Sequence, residues 1–212
     1  MKSIILTIIA GILVFIFVAP ALNNLVTRLL LGSSLKSLCR KNKHIKLLPQ
    51  SSKWLWGKTD GEHSDFHLIV GDSLYIVKIC SVYKVLTSFT FESATLWKKY
   101  TYNRMAGFGG TPSGPKELCL NIPFDLAKEK KEVEAKLKDQ STIDKIETVL
   151  LFCPKAMSYN IKMGEDMMTA EPKGDRVFGS LIFDDETFVK AIKKQSKGLA
   201  TKQVDEVSLR SL

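Results

Sequence analysis

From Ser3 to Leu22 the chain carries no charge, with Thr7 and Gly11 as the mild exceptions to an apolar run. About 20 such residues cross the hydrocarbon core of a bilayer as a helix, so residues 1–22 are expected to form a transmembrane signal-anchor helix. Leu22, Leu25, Val26, Leu29 and Leu30 then recur at helical spacing, with Asn23, Asn24, Thr27 and Arg28 on the other side. Leu35 and Leu38 continue the stripe beside Lys36, Arg40 and Lys41. Residues 23–44 are therefore expected to be a basic amphipathic juxtamembrane helix, with Gly32-Ser33-Ser34 as a point where it can kink. Such a helix serves either on lipid or as the first helix of the domain, packed on a sheet.

Further along, the period changes from helical to alternating. Ile45–Leu48 is a short apolar piece stopped by Pro49, and Trp54-Leu55-Trp56 is a bulky core candidate ahead of a polar turn. Phe66–Val70 and Ser73–Ile79 flank Gly71-Asp72, the signature of a hairpin. Val82–Leu86, Ser88–Phe91 and Leu96–Tyr102 read as further strands, because β-branched and aromatic residues dominate them. Gly107–Pro115 reads as a loop. Pro123–Asp139 is a charged helix with a thin apolar stripe, expected to be largely solvated. Ile146–Pro154 is a continuous apolar run ended by a proline, expected as a buried strand, and Val177–Phe183 as another. Asp184 or Asp185 then caps a helix carrying Phe188, Val189 and Ile192. The expected fold is α+β, in mixed α/β layers. An N-terminal transmembrane helix precedes one soluble domain over 45–197, with a central mixed sheet flanked by helices, and a flexible tail over 198–212.

Charge sharpens this picture. The chain has 31 Lys and Arg against 22 Asp and Glu, for a net +9. No acid occurs before Asp60, so the nine basic residues of 1–59 account for the whole excess and residues 60–212 are neutral. One basic residue before the span and eight in the stretch after it place the C-terminal part in the cytoplasm by the positive-inside rule. Arg28, Lys36, Arg40, Lys41 and Lys43 are the candidates for contact with anionic lipid, at roughly 1 kcal/mol for each charge near the surface. Nucleic acid is less well supported, because the domain itself has no net positive field. Ala19-Pro20-Ala21 has the small-x-small form of a signal-peptidase site and opens the alternative of an exported protein with a cleaved signal peptide. The single Lys2 ahead of the run and the apolar residues continuing past it favour the uncleaved anchor.

Candidate chemistry is sparse. Cys39, Cys80, Cys119 and Cys153 are far apart and form no zinc ladder, although their even number permits two disulfides in an exported chain. Gly107–Pro115 fits neither phosphate-binding glycine pattern. His63, Asp65 and His67 share one strand face, an arrangement that holds a metal only with further ligands.

The stretch Asp65–Cys80, DFHLIVGDSLYIVKIC, places an Asp at the start of one strand and Lys78 near the end of the next. Preceded by a helix and followed by further strands and helices, it resembles the PD-(D/E)xK, restriction-endonuclease-like fold, of the nuclease-related type, over about residues 35–195. In that family an Asp and the acid of the (D/E)xK triplet hold a divalent metal, and the Lys steadies the attacked phosphate or the water. Asp65 matches the Asp and Lys78 the Lys. The position of the acid is held by Ile76, and residues 1–59 contain no acid to supply a ligand from the preceding helix. Mg²⁺ needs at least two oxygen ligands beside water and phosphate. What the resemblance implies is the fold with a degenerate metal site and no cofactor; without the resemblance, Asp65 and Lys78 are ordinary strand residues that can pair across the hairpin.

The function expected from these signals is that of a single-pass, membrane-anchored protein. Its non-catalytic, nuclease-like cytoplasmic domain acts as an interaction module for an unidentified protein partner or for the bilayer. The alternative is a divergent Mg²⁺-dependent nuclease using Glu62, Asp65 and Lys78.

Overall fold

The computed structural model describes residues 2–50, 63–82, 86–102, 112–119, 121–137 and 143–198, with the side chains of α1 described from Leu22 onward. Trp54-Leu55-Trp56, Glu62 and residues 199–212 of the expected tail lie outside the described residues.

Helix α1 (Lys2–Lys41) leads into an antiparallel series, β1 (Ile45–Pro49), β2 (Phe66–Val70) and β3 (Ser73–Ser81). Strands β4 (Thr87–Phe91), β5 (Leu96–Tyr102) and β6 (Pro112–Cys119) precede helix α2 (Ile122–Leu137). Strand β7 (Lys145–Cys153) follows, then β8 (Ser158–Met163), β9 (Asp166–Ala170), β10 (Lys173–Val177), β11 (Ser180–Asp184) and helix α3 (Asp185–Lys197).

Two parts of the expected fold do not hold. The first is the transmembrane helix. The side chains of 2–21 lie outside the described residues, and among the described residues no helix is long and apolar enough to cross a membrane. Residues 2–41 instead run as one helix, without a boundary at residue 22 or a break at Gly32-Ser33-Ser34. Its described portion is a domain helix. Asn24, Arg28, Leu31 and Leu35 point inward and are buried, and Asn24 donates to the Cys153 carbonyl at 3.2 Å.

The second correction is the single central sheet. Six strands form one sheet in the order β1-β2-β3-β7-β11-β10, and five form another in the order β6-β5-β4-β8-β9. In the larger sheet β1, β2 and β3 pair antiparallel, and β3, β7 and β11 run parallel. Parallel neighbours need cover on both faces, and the side-chain alternation supplies it. One face of the larger sheet, with Phe66, Leu68, Val77, Ile79, Val149 and Leu151, packs on α1 and α3. The opposite face, with Ile69, Leu74, Ile76, Leu150 and Phe152, packs on α2 and the smaller sheet. Phe152 is at the centre of that second core: its ring centroid lies 5.1 Å from Phe89, 6.2 Å from Phe91, 6.5 Å from Trp97 and 4.8 Å from Tyr159.

Local chemistry explains most element ends. Gly71 takes φ 64°, which a two-residue hairpin loop demands of its first position. Asp184 caps α3 in a capping box with Thr187, its carboxylate accepting the Thr187 amide at 2.7 Å. Val177–Phe183 is not one strand, because Phe178 and Gly179 adopt φ 49° and 85°. Two successive positive values make the reversal of a type I′ hairpin turn between β10 and β11. Of the expected loop Gly107–Pro115, the part from Pro112 on belongs to β6. Among the described residues of Val82–Leu86 no strand is present.

Candidate functional site

The register of β2 and β3 pairs Phe66 with Val77, so Asp65, just before β2, stands opposite Lys78. The parity of the sheet sends Asp65, His67 and Lys78 toward the face covered by α2 and the smaller sheet. The two residues singled out in the sequence do come together, and both are buried, at 1 % and 5 % exposure. Each has a backbone partner. The Asp65 amide donates to the Val77 carbonyl at 2.8 Å, and Asp65 Oδ2 accepts the Ile79 amide at 2.6 Å. Lys78 Nζ donates to the His63 carbonyl at 2.7 Å. Ile76, at the place of the missing acid, is fully buried among the apolar side chains of the core.

Among the described residues too few oxygen ligands are brought together to hold Mg²⁺. One Asp65 oxygen is occupied by a backbone amide, the neighbouring strand position is an alkyl group, and among the described residues no group of three or more His, Cys, Asp and Glu is placed to hold a metal. The helix that would have to supply a further acid supplies Arg28. This side chain is fully buried and its guanidinium donates to Ser81 Oγ at the end of β3. Arg28 is therefore removed from the set expected to meet lipid; it is part of the packing of α1 on the sheet. Lys36, Arg40, Lys41 and Lys43 are exposed. Cys80 reports the local field: burial pushes its thiol up to about 12, the Asp65 charge adds to that, and Lys78 and Arg28 oppose it. Such a thiol is not a nucleophile at neutral pH. Cys39, Cys80 and Cys153 are free thiols.

Beside this pair lies a polar network of which the sequence pointed only to His67, as a metal candidate with His63 and Asp65. Glu129 of α2 accepts the Ser64 hydroxyl at 2.6 Å, the Ser64 amide at 2.9 Å and His67 Nε2 at 2.8 Å. Gln50 Nε2 meets His67 Nδ1 at 3.1 Å. With Nε2 donating to a carboxylate and Nδ1 accepting from an amide, both imidazole nitrogens are engaged. Ser64 donates to Glu129 and not to His67, so the serine–histidine contact of a Ser-His-acid triad is not made by these residues. The network ties α2 to the edge of β2. A sequence signal for it exists: Glu129 sits three residues after Leu126 and four before Val133, both buried, and so shares their face of α2.

Burial raises the Glu129 carboxyl, but the hydrogen bonds from His67 and Ser64 outweigh it and leave the group below its ordinary 4.5. A carboxylate lowered on folding contributes stability above its unfolded value, and that contribution is lost as pH falls through the folded value. Wild-type stability is therefore expected to drop below about pH 4.5, and Glu129→Gln to flatten that dependence. Urea titrations at pH 6, 4.5 and 3 measure the difference; parallel curves for the two proteins would show that Glu129 does not carry it.

Glu147, on β7, was likewise invisible in the sequence. Arg176 bridges both its oxygens, at 2.7 and 2.8 Å, and Lys145 adds a third contact at 3.1 Å. This places a paired acid three strand positions from the level of Asp65 and on the other face of the sheet, where it ties β10 to β7. In comparisons with known proteins, no family model, no curated protein and no solved structure matches the chain.

Proposed function

We propose that the domain is a non-catalytic, nuclease-like interaction module. The observation that carries this reading is the use made of Asp65 and Lys78: they meet on one face of adjacent strands, and each takes a backbone partner, the Ile79 amide for Asp65 and the His63 carbonyl for Lys78. The order of elements supports the likeness, with a helix, an Asp at the head of one strand, a Lys across the hairpin, and then a further helix and a strand parallel to the Lys-bearing one. The substitution of Ile76 for an acid supports the loss of metal chemistry. The working surface is then the exposed basic end of α1 and the turn after it, with Lys36, Arg40, Lys41 and Lys43. An acidic partner, with anionic lipid as the first choice, suits it electrostatically.

The test is an incubation of the full chain with single- and double-stranded DNA and RNA in Mg²⁺ or Mn²⁺, alongside calorimetry with each ion. No cleavage above the protein-free control and no binding heat are expected. Metal-dependent cleavage that disappears in Asp65→Ala would overturn the reading in favour of a divergent nuclease.

A further inference from the structure

Helices α1 and α3 share one face of the larger sheet, and their C-terminal halves leave an open cleft of about 550 Å³ between them. That volume is in the range of small-molecule sites. Its polar lining has one sign. Ser33, Ser34, Ser37 and Lys41 come from α1, Lys193 and Lys197 come from α3, and no acidic residue lines the cleft. The sequence accounts for this: α1 and its following turn contain no acid, and α3 has none after Glu186.

Lysines near helix C-termini are common because they offset the helix dipole, worth about half a negative charge at each end. Two helix ends account for about one of the charges in the cleft, and three lysines are present. Among the described residues the surplus is not absorbed. Among the described residues none of the three forms an ion pair, whereas Lys190 on the same helix pairs with Glu186 at 3.5 Å. Nor are the Ser33, Ser34 and Ser37 hydroxyls committed to other groups among the described residues, whereas the Ser196 hydroxyl donates to the Lys193 carbonyl at 2.9 Å. Converging cations and unspent hydroxyl donors are the chemistry that phosphate oxygens require.

We propose that the cleft between α1 and α3 binds a ligand bearing more than one phosphate, with Lys41, Lys193 and Lys197 neutralising its charge and the α1 serines donating to its oxygens. A single carboxylate would leave most of that positive charge unanswered. The cleft has room for a ring or sugar carrying several phosphates. This goes beyond the interaction-module reading and does not depend on it, because a nuclease can carry the same cleft.

The probes are inositol hexakisphosphate in solution, and vesicles of phosphatidylcholine with either phosphatidylinositol bisphosphate or phosphatidylserine. They are applied to the full chain and to two triple variants. Lys41→Gln/Lys193→Gln/Lys197→Gln removes the cleft charges. Lys128→Gln/Lys131→Gln/Lys136→Gln removes the same number from the exposed face of α2, outside the cleft. Loss of at least about 30-fold in affinity is expected for the cleft variant, and less than about 3-fold for the other. Binding of the soluble probe identifies a free polyphosphate as the ligand source; binding only to the bisphosphate vesicles identifies a lipid headgroup. Ser37→Glu, which leaves every lysine in place, is expected to lose binding as well, and thermal melting checks that each variant is folded. Equal loss in the two triple variants, equal binding to both vesicle types with no soluble binding, or no binding of any probe by the wild type would overturn the proposal.

Discussion

Replacing Phe152 by alanine is expected to remove about 4 kcal/mol of stability, a large share of what holds an ordinary domain. The side chain is fully buried on β7 and touches four aromatic rings, three of which come from β4 and β5 and one from β8. Its loss empties the contact between the two sheets at its centre. Neither sheet can move in to close the gap, because each is fixed by its own ladders. Phe152→Leu keeps most of the volume and is expected to cost no more than about 1.5 kcal/mol. Equilibrium urea denaturation measures both. A cost below 1 kcal/mol for the alanine variant would mean that the sheets do not rest on this ring.

Asp65→Ala has the next largest expected effect, a loss of about 3 kcal/mol, because a buried charge-assisted bond disappears and a buried amide is left without its acceptor. Asp65→Asn retains an oxygen for the Ile79 amide and is expected to lose about half as much. The pair separates the two roles available to this residue. A carboxylate kept for metal chemistry is often tolerated or even improved on removal, since active sites trade stability for function. A carboxylate kept for the fold is missed. Denaturation of the two variants within 0.5 kcal/mol of wild type would place Asp65 back among catalytic candidates.

Elements set by local signals were legible in the sequence. Phe66–Val70, Leu96–Tyr102 and the Asp184 cap match within a residue or two, because alternation, the Gly71 turn and the capping box are encoded in short windows. Elements that depend on distant partners were not. Strands β8 and β9 carry exposed Met163, Met167 and Met168, so they lack the apolar alternation that announces a strand. Their pairing with each other and with β4 defines them. The apolar run before Leu22 argued for a bilayer, and Asn24 and Arg28 argued for a polar helix face. In the structure these two are the buried anchors of α1, because Cys153 and Ser81 supply their partners from elsewhere in the chain. The meeting of Asp65 with Lys78 could be read from hairpin register alone, whereas Glu129 required knowing which strand α2 would cover.

The route of the chain between the two sheets has a further consequence. It builds β1 to β3 in the larger sheet, crosses to lay down β4 to β6 in the smaller, returns for β7, crosses again for β8 and β9, and ends in the larger sheet with β10 and β11. The sheets are interleaved along the sequence, so neither is a contiguous segment that can be excised. A cut between β7 and β8 strips strands from both. The parallel pairs β3–β7 and β4–β8 each close a long loop containing part of the other sheet, so much of their ordering entropy is shared. The two layers are expected to form and melt in one step, as a single cooperative unit.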